Sequence, residues 1–353
     1  MTHQENCSIL KTLAFSALLF LLPRHAEAGP PMEKPNVLLI CADDMKPLLN
    51  CYGQPHARTP NFDRIARNGA LFLNNQCQKA ICGPSRASFL TGLRPDTVGI
   101  HDFNEYMRDM HPEITTLPQY FKESGYKTWG CGKIFDHRNV SENENRDEPY
   151  SWTDYSSKGK HEYFHFGEYE GKKPSTEAAV CEDNDYKAGA YTDDAERTIK
   201  QWADEQPFFV VMGYIRPHLP FACPKKYWDM YDRWQLQPHP FQQEAENTPS
   251  YVYQDSWELR QSYDDIPPMG EAIPVETQRR LIHGYYACVT HIDTMVGRLL
   301  DTLEEEGVAT NTIVVVIGDH GWHLGDHGMW CKHTNCEQAN RSPLIISAPW
   351  MEN

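Results

Sequence analysis

The sequence predicts an α/β fold, a mostly parallel central sheet flanked by helices, from three observations. Short apolar, β-branched runs recur along the chain, longer segments of helical period lie between them, and acidic residues follow two of the runs directly. Asn36 to Ala42, Ala70 to Leu73, Lys127 to Cys131, Phe208 to Gly213, Thr312 to Ile317 and Pro343 to Ser347 read as strands. The clearest helices are Asp193 to Ala203, opened by an Asp193…Glu196 capping pair, and Glu276 to Glu306. In the second, Leu281, Tyr285, Cys288, Ile292, Met295, Leu299 and Leu303 form one apolar stripe, which belongs in the core. Asp136 to Tyr191 and Gln237 to Met269 are polar and aperiodic, and read as long excursions over the mouth of a site. In such a sheet, sites lie beyond the carboxyl ends of the strands.

With 353 residues, 40% hydrophobic and 12% aromatic, the chain has enough apolar surface for a large folded domain. The 33 basic and 49 acidic side chains leave a formal charge of -16, which argues against nucleic acid as a partner and against anionic membrane. Lys11, the apolar run Leu13 to Leu22 and Ala26-Glu27-Ala28 read as an export signal over residues 1–28, too short to span a bilayer. The chain is therefore expected to be exported and not an integral membrane protein: periplasmic or extracellular in a bacterium, secretory or lysosomal in a eukaryote. Residues 29–353 are expected to form the folded domain that carries the chemistry argued below. Of eleven cysteines, Cys7 lies in the signal and Cys82 is taken by chemistry below, leaving an odd number for which spacing suggests no pairing. Cys331 and Cys336 find no second cysteine pair with which to hold zinc.

Asp43-Asp44 follows the first strand, and Asp319-His320 follows Thr312 to Ile317 and Gly318. Taken alone, either acidic pair reads first as a helix cap. Adjacent carboxylates at the end of a hydrophobic strand also need a cation or a basic partner, and carboxylates with few soft ligands suit calcium, or less well magnesium. The deciding element is Cys82-Gly83-Pro84-Ser85-Arg86 followed by Leu90-Thr91-Gly92. A structural cysteine ahead of a helix explains Pro84, but not Ser85, Arg86 and Leu-Thr-Gly together.

This segment resembles the signature of the formylglycine-dependent (type I) sulfatases, in which a Cys, then Pro-Ser-Arg, then Leu-Thr-Gly recur at this spacing. Such a match of seven positions arises by chance on the order of once in a million sequences. The resemblance runs over nearly all of the chain after residue 28 and is strongest to the iduronate-2-sulfatase branch. It is carried by Asn36 to Asp44, Arg94-Pro95-Asp96-Thr97 with Asp102-Phe103-Asn104, Gly132-Lys133-Ile134-Phe135, Gly213 to Phe221, and Asp319-His320-Gly321-Trp322 with Leu324-Gly325 and His327-Gly328. It implies an alkaline phosphatase superfamily fold and conversion of Cys82 to formylglycine (3-oxoalanine) by a formylglycine-generating enzyme during maturation. It also implies one calcium ion per chain on Asp43, Asp44, Asp319, His320 and modified Cys82. The aldehyde hydrate at position 82 then attacks sulfur with one oxygen and later expels sulfate with the other, a route closed to serine.

The same resemblance implies that Arg86, Lys133 and Lys332 hold the sulfate, which answers how an acidic protein takes an anionic substrate. It implies that His218 contacts the sulfate and protonates the leaving alkoxide. Where the family has a histidine three residues after Lys133, this chain has Asp136. His137 either orients the formylglycine hydroxyl after a one-residue shift, or that role is absent. Family members continue into a smaller C-terminal subdomain, which the chain ending at Asn353 is expected to lack. His101, Asp102, Asn104, Trp322 and His323 are expected to line the mouth, and Asn139-Val140-Ser141 and Asn340-Arg341-Ser342 match a glycosylation pattern.

The function implied is hydrolysis of sulfate esters, on 2-O-sulfated uronic acids of a polysaccharide such as a glycosaminoglycan. The rivals are a phosphomonoesterase or phosphonate hydrolase of the same superfamily, disfavoured because no second metal cluster is evident, and an inactive secreted glycan-binding fragment.

Overall fold

The computed structural model describes residues 34–140, 147, 150–155, 167–205 and 207–351. The export-signal reading of residues 1–28 lies outside the described residues. The strands are β1 (Asn36–Asp43), β2 (Gly69–Leu71), β3 (Lys127–Gly132), β4 (Asp154–Tyr155), β5 (Thr176–Ala179), β6 (Phe208–Pro217), β7 (Phe221–Pro224), β8 (Thr312–Gly318), β9 (His323–Leu324), β10 (Trp330–Cys331) and β11 (Leu344–Ser347). The helices that matter here are α1 (Pro60–Arg67), α2 (Cys82–Thr91), α3 (Leu117–Glu123), α4 (Lys187–Trp202), α5 (Trp257–Ser262) and α6 (Val275–Glu305).

Seven strands form one sheet in the order β2-β11-β8-β1-β6-β3-β4. From β8 across to β4 every pairing is parallel, and β11 adds antiparallel pairings to β8 and β2. β1 is buried along its whole length, because parallel strands covered on both faces have no solvent side. Its pleat sends Leu38, Ile40 and Ala42 into one core and Val37, Leu39 and Cys41 into the other. α4 and α6 close the first core, with the whole stripe from Leu281 to Leu303 buried. α2 and α3 help to close the second, where the Phe121 ring stacks on Phe209 at 4.2 Å between centroids.

Every run expected to be a strand is one, and β6 continues past Gly213 to Pro217. α4, however, begins at Lys187, so the Asp193…Glu196 pair does not cap it. The apolar period extends back through Tyr191 and Ala188, and both acids instead bind Arg298 of α6, Glu196 through two hydrogen bonds of 2.8 Å. The polar stretches are also less irregular than their composition suggested. The first contributes β4 to the sheet edge and β5, which pairs with β7, and the second contributes α5.

Asp293, buried in α6, does the capping that Thr59 fails to do at the start of α1. The backbone N–H groups of Asn61 and Phe62 donate to its Oδ1 at 3.0 and 2.8 Å, and the Asn61 amide donates to Oδ2 at 3.0 Å. Asp293→Ala leaves buried donors unpaired and is expected to lower the unfolding free energy by about 2–3 kcal/mol. Denaturant titration checks this, and a loss of only a few tenths of a kcal/mol refutes it.

Candidate active site

Register places the acids. Ala42 of β1 lies opposite Gly318 of β8, so the residues that follow this pair, Asp43-Asp44 and Asp319-His320, emerge side by side at the carboxyl end of the sheet. Asp44 adopts a left-handed conformation (φ 61°), which aspartate tolerates better than most residues, and its N–H donates to Asp319 Oδ1 at 3.0 Å. Tyr285 of α6 donates its hydroxyl to the Asp44 carbonyl at 2.7 Å, holding this turn from the core side.

Cys82 is the first residue of α2, the helix whose N-terminus points at these acids. Its Sγ lies 3.3 Å from His320 Nε2 and 4.0 Å from Asp44 Oδ1. The next residue, Gly83, is in such close contact that an added Cβ would sit 1.9 Å from Asn139 Oδ1. One turn along, Arg86 is wholly buried. Its Nε donates to Asp319 Oδ2 at 2.9 Å, one terminal nitrogen donates to the carbonyls of Lys133 and Ile134, and the other lies 3.4 Å from Asp43 Oδ1. Lys133 follows β3 and donates to Asp43 Oδ2 at 2.7 Å, and Lys332 follows β10 and donates to Asp44 Oδ1 at 2.8 Å. Two glycines permit this: a Cβ on Gly213 of β6 would meet the Lys133 carbonyl carbon at 2.2 Å, and Gly132 takes φ +78°.

Arg86, Lys133 and Lys332 thus face Asp43, Asp44 and Asp319, all six buried. Burial alone pushes the Asp43 carboxyl up, but Lys133, with His218 and Arg86, outweighs it and holds the group well below the usual carboxylate range. Asp44 moves the other way, raised by burial and by Asp43 against the pull of Lys332. The Cys82 thiol is pushed up to about 12, chiefly by burial, so an unmodified thiol here is protonated at neutral pH and a poor nucleophile.

These residues fit a divalent cation. One atom each from Asp43, Cys82, Asp319 and His320 lie within 4.8 Å of one another, as do atoms from Asp43, Asp44 and His218. Asp44 Oδ2 is buried without a hydrogen-bond donor, so a lone pair faces the cluster unsatisfied. Three carboxylates dominate the set, which suits a hard ion.

His218 approaches from the far side, its Nε2 3.6 Å from Asp44 Oδ2 and 3.0 Å from Glu258 Oε1, while its Nδ1 lies 2.6 Å from the Leu219 carbonyl oxygen. A cleft of about 470 Å³ has Cys82, His218, Lys332, Phe103, Arg138 and Lys172 among its walls.

His137 and Asp136 differ in burial. The His137 side chain is 40% exposed, whereas Asp136 is buried, 3.6 Å from Lys133 and bound by Arg138 at 2.8 Å. Lys133 and Arg138 hold the Asp136 carboxyl below its usual range despite burial, which makes it an anion that anchors the lysine. Of the residues expected at the mouth, His323 is instead buried beneath it, bonded to Asp326 and, at 2.8 Å, to Thr334. Trp322 is also fully buried, 6.2 Å from the His218 ring, and Asn104 folds onto Asp102 in a local turn. Asn139 is 4% exposed and gives its amide to the carbonyls of Asp102 and Glu105, so it is no surface acceptor for a glycan. Sequence reasoning missed Glu258 and His333, both walls of the cleft. Burial, then Lys332, lowers His333 to about 4, which keeps it neutral.

A family model described as Sulfatase matches residues 35–351. The chain belongs to the sulfatase family. It is 37% identical over 351 residues to iduronate 2-sulfatase of Homo sapiens, an alignment covering 96% of this chain and 64% of the relative. It is 33% identical to a sulfatase of Formosa agariphila, covering 90% of this chain and 65% of that one. The chain spans a little under two thirds of the length of these relatives. Among solved structures, the phosphonate monoester hydrolase of Agrobacterium radiobacter superposes with TM-score 0.70 at 21% identity, over 89% of this chain and 68% of that one. A structure in complex with D-glucosamine-2-N,6-O-disulfate superposes with TM-score 0.70 at 23% identity, over 90% and 72%. At those identities the likeness speaks to the fold, which is that of this sulfatase chain: a mixed sheet with flanking helices.

Proposed function

We propose that the chain hydrolyses sulfate esters, on 2-O-sulfated uronic acid residues of a polysaccharide, with formylglycine at position 82 and a calcium ion at the strand ends. The observation that carries this reading is the convergence on one buried point of Cys82 at a helix N-terminus, the acids after β1 and β8, and three buried cations. The likeness to iduronate 2-sulfatases supports the choice of sugar.

Asp43, Asp44, Asp319 and His320, with residue 82, hold the ion, which when bound supplies positive charge to the nucleophile and to the sulfate oxygens. Formylglycine supplies a hydrated aldehyde with one oxygen to attack and one to regenerate the carbonyl. Lys133 and Lys332 bind sulfate oxygens, and each keeps a carboxylate partner that fixes its ammonium before substrate arrives. Arg86 braces Asp319 and the turn after β3, and so sets where Lys133 stands. His218, its Nδ1–H held by the Leu219 carbonyl, carries a second proton on Nε2 as an imidazolium, which Glu258 and Asp44 favour, and gives that proton to the leaving sugar oxygen. Maturation requires a formylglycine-generating enzyme, and the chain is exported. No helix among the described residues is long and apolar enough to cross a membrane.

Peptide mass at residue 82, from a host containing the maturation enzyme, tests the reading together with release of sulfate from an aryl sulfate and from a 2-O-sulfated uronide. Conversion of Cys82 with sulfate release is the expected result. A modified protein that cleaves an aryl phosphonate and no sulfate ester overturns it in favour of a phosphonate hydrolase.

A further inference from the structure

Glu258 stands where a carboxylate needs explaining. A negative charge on the wall of a cleft that receives an anion repels it. Glu258 is not bare. Its side chain is 17% exposed, its Oε1 lies 3.0 Å from His218 Nε2, and both its oxygens are 3.3 Å from Lys332 Nζ. Lys332 and His218 in turn each reach Asp44, at 2.8 and 3.6 Å. The four side chains close a ring in which the lysine and the histidine each sit between two carboxylates.

The backbone keeps this ring in register. Trp330, two residues before Lys332, donates its N–H to Ser256 Oγ at 2.9 Å, and its carbonyl accepts from the Gln254 amide. Ser256, in a left-handed conformation (φ 58°), starts the short helix α5 that carries Glu258. The segment bearing Glu258 is thus clamped to both backbone groups of Trp330, in the strand that leads into Lys332. His218 is tied at its other nitrogen to the Leu219 carbonyl, leaving Nε2 facing Glu258 and Asp44.

We propose that Glu258 is a positioning residue of this site, which holds the His218 imidazole and the Lys332 ammonium in a fixed relation to each other and to Asp44. Without it, Lys332 has Asp44 as its remaining acidic partner among those described, and its flexible stem collapses onto that carboxylate. The His218 ring loses the shorter of its two carboxylate contacts. A positioned donor acts in the transition state more than in substrate binding, so the loss falls on kcat. This inference rests on the sulfatase reading.

The test compares wild type, Glu258→Gln, which keeps the shape and removes the charge, and Glu258→Ala on an aryl sulfate, all with residue 82 converted. Glu258→Gln is expected to lower kcat about 10–100-fold, as loss of a carboxylate behind a working group commonly does, with KM changed less than about threefold and the melting temperature near wild type. A Glu258→Gln enzyme with wild-type kcat, a loss confined to KM, or a loss that follows a fall in melting temperature overturns the proposal while leaving the sulfatase reading intact. A converted wild type that releases no sulfate overturns that reading, and the proposal with it.

Discussion

Cys82→Ala is expected to reduce sulfate release by on the order of 10⁴-fold or more and to leave the fold nearly untouched. The side chain is 1% exposed at the first residue of α2, so losing its sulfur removes little buried area and costs about 1 kcal/mol. An alanine methyl group is not converted to the aldehyde, so the hydrate oxygen that attacks sulfur never forms, and no neighbouring group among those described takes over. Ser85, three residues on, is committed to the Asp319 carbonyl. Cys82→Ser is equally inactive on this account, because an alkoxide sulfate formed there has no second oxygen with which to expel sulfate. Turnover of either variant within tenfold of wild type, with unfolding monitored alongside, refutes the assignment of residue 82.

Removal of the divalent ion is the second large effect, and it reads out in stability as well as in rate. Asp43, Asp44 and Asp319 are buried together, and their charges are balanced by Arg86, Lys133 and Lys332 without satisfying Asp44 Oδ2. An ion that binds the folded site and not the unfolded chain, at 100 times its dissociation constant, adds about 2.7 kcal/mol. For a chain of 353 residues that is a rise in melting temperature of roughly 3–5 °C on adding calcium to chelated protein. Chelation is expected to abolish sulfate release and calcium to restore it. A melting temperature indifferent to calcium and chelator, with activity surviving the chelator, refutes the metal assignment.

Much of the fold was legible in the chain because its signals are local. A strand buried on both faces reads as a run of β-branched residues, and α6 reads as a stripe, whatever surrounds them. The start of α4 was misread because Asp193…Glu196 imitates a capping pair, and the tertiary partner that employs both acids, Arg298, lies more than a hundred residues away. The composition of the polar stretches hid β4, β5 and α5, since short elements with half-buried faces carry too few apolar residues to show a period.

The residues of the candidate site divide along the same line. Asp43, Asp44, Cys82, Arg86, Asp319 and His320 sit in contiguous motifs at the ends of buried elements, so sequence alone names them, and register brings them together. The sequence by itself determined the α/β class, the buried helix stripe and the family to which the chain belongs. The tertiary structure decided that Asp136 is buried 3.6 Å from Lys133, that His323 and Asn139 are buried, and that Glu258 and His333 enter the cleft. The physical reason is range: a strand or a helix is written in neighbours a few residues apart, whereas the inward reach of a loop side chain depends on backbone bonds to distant segments. The clamp of Gln254 and Ser256 on Trp330 is such a bond.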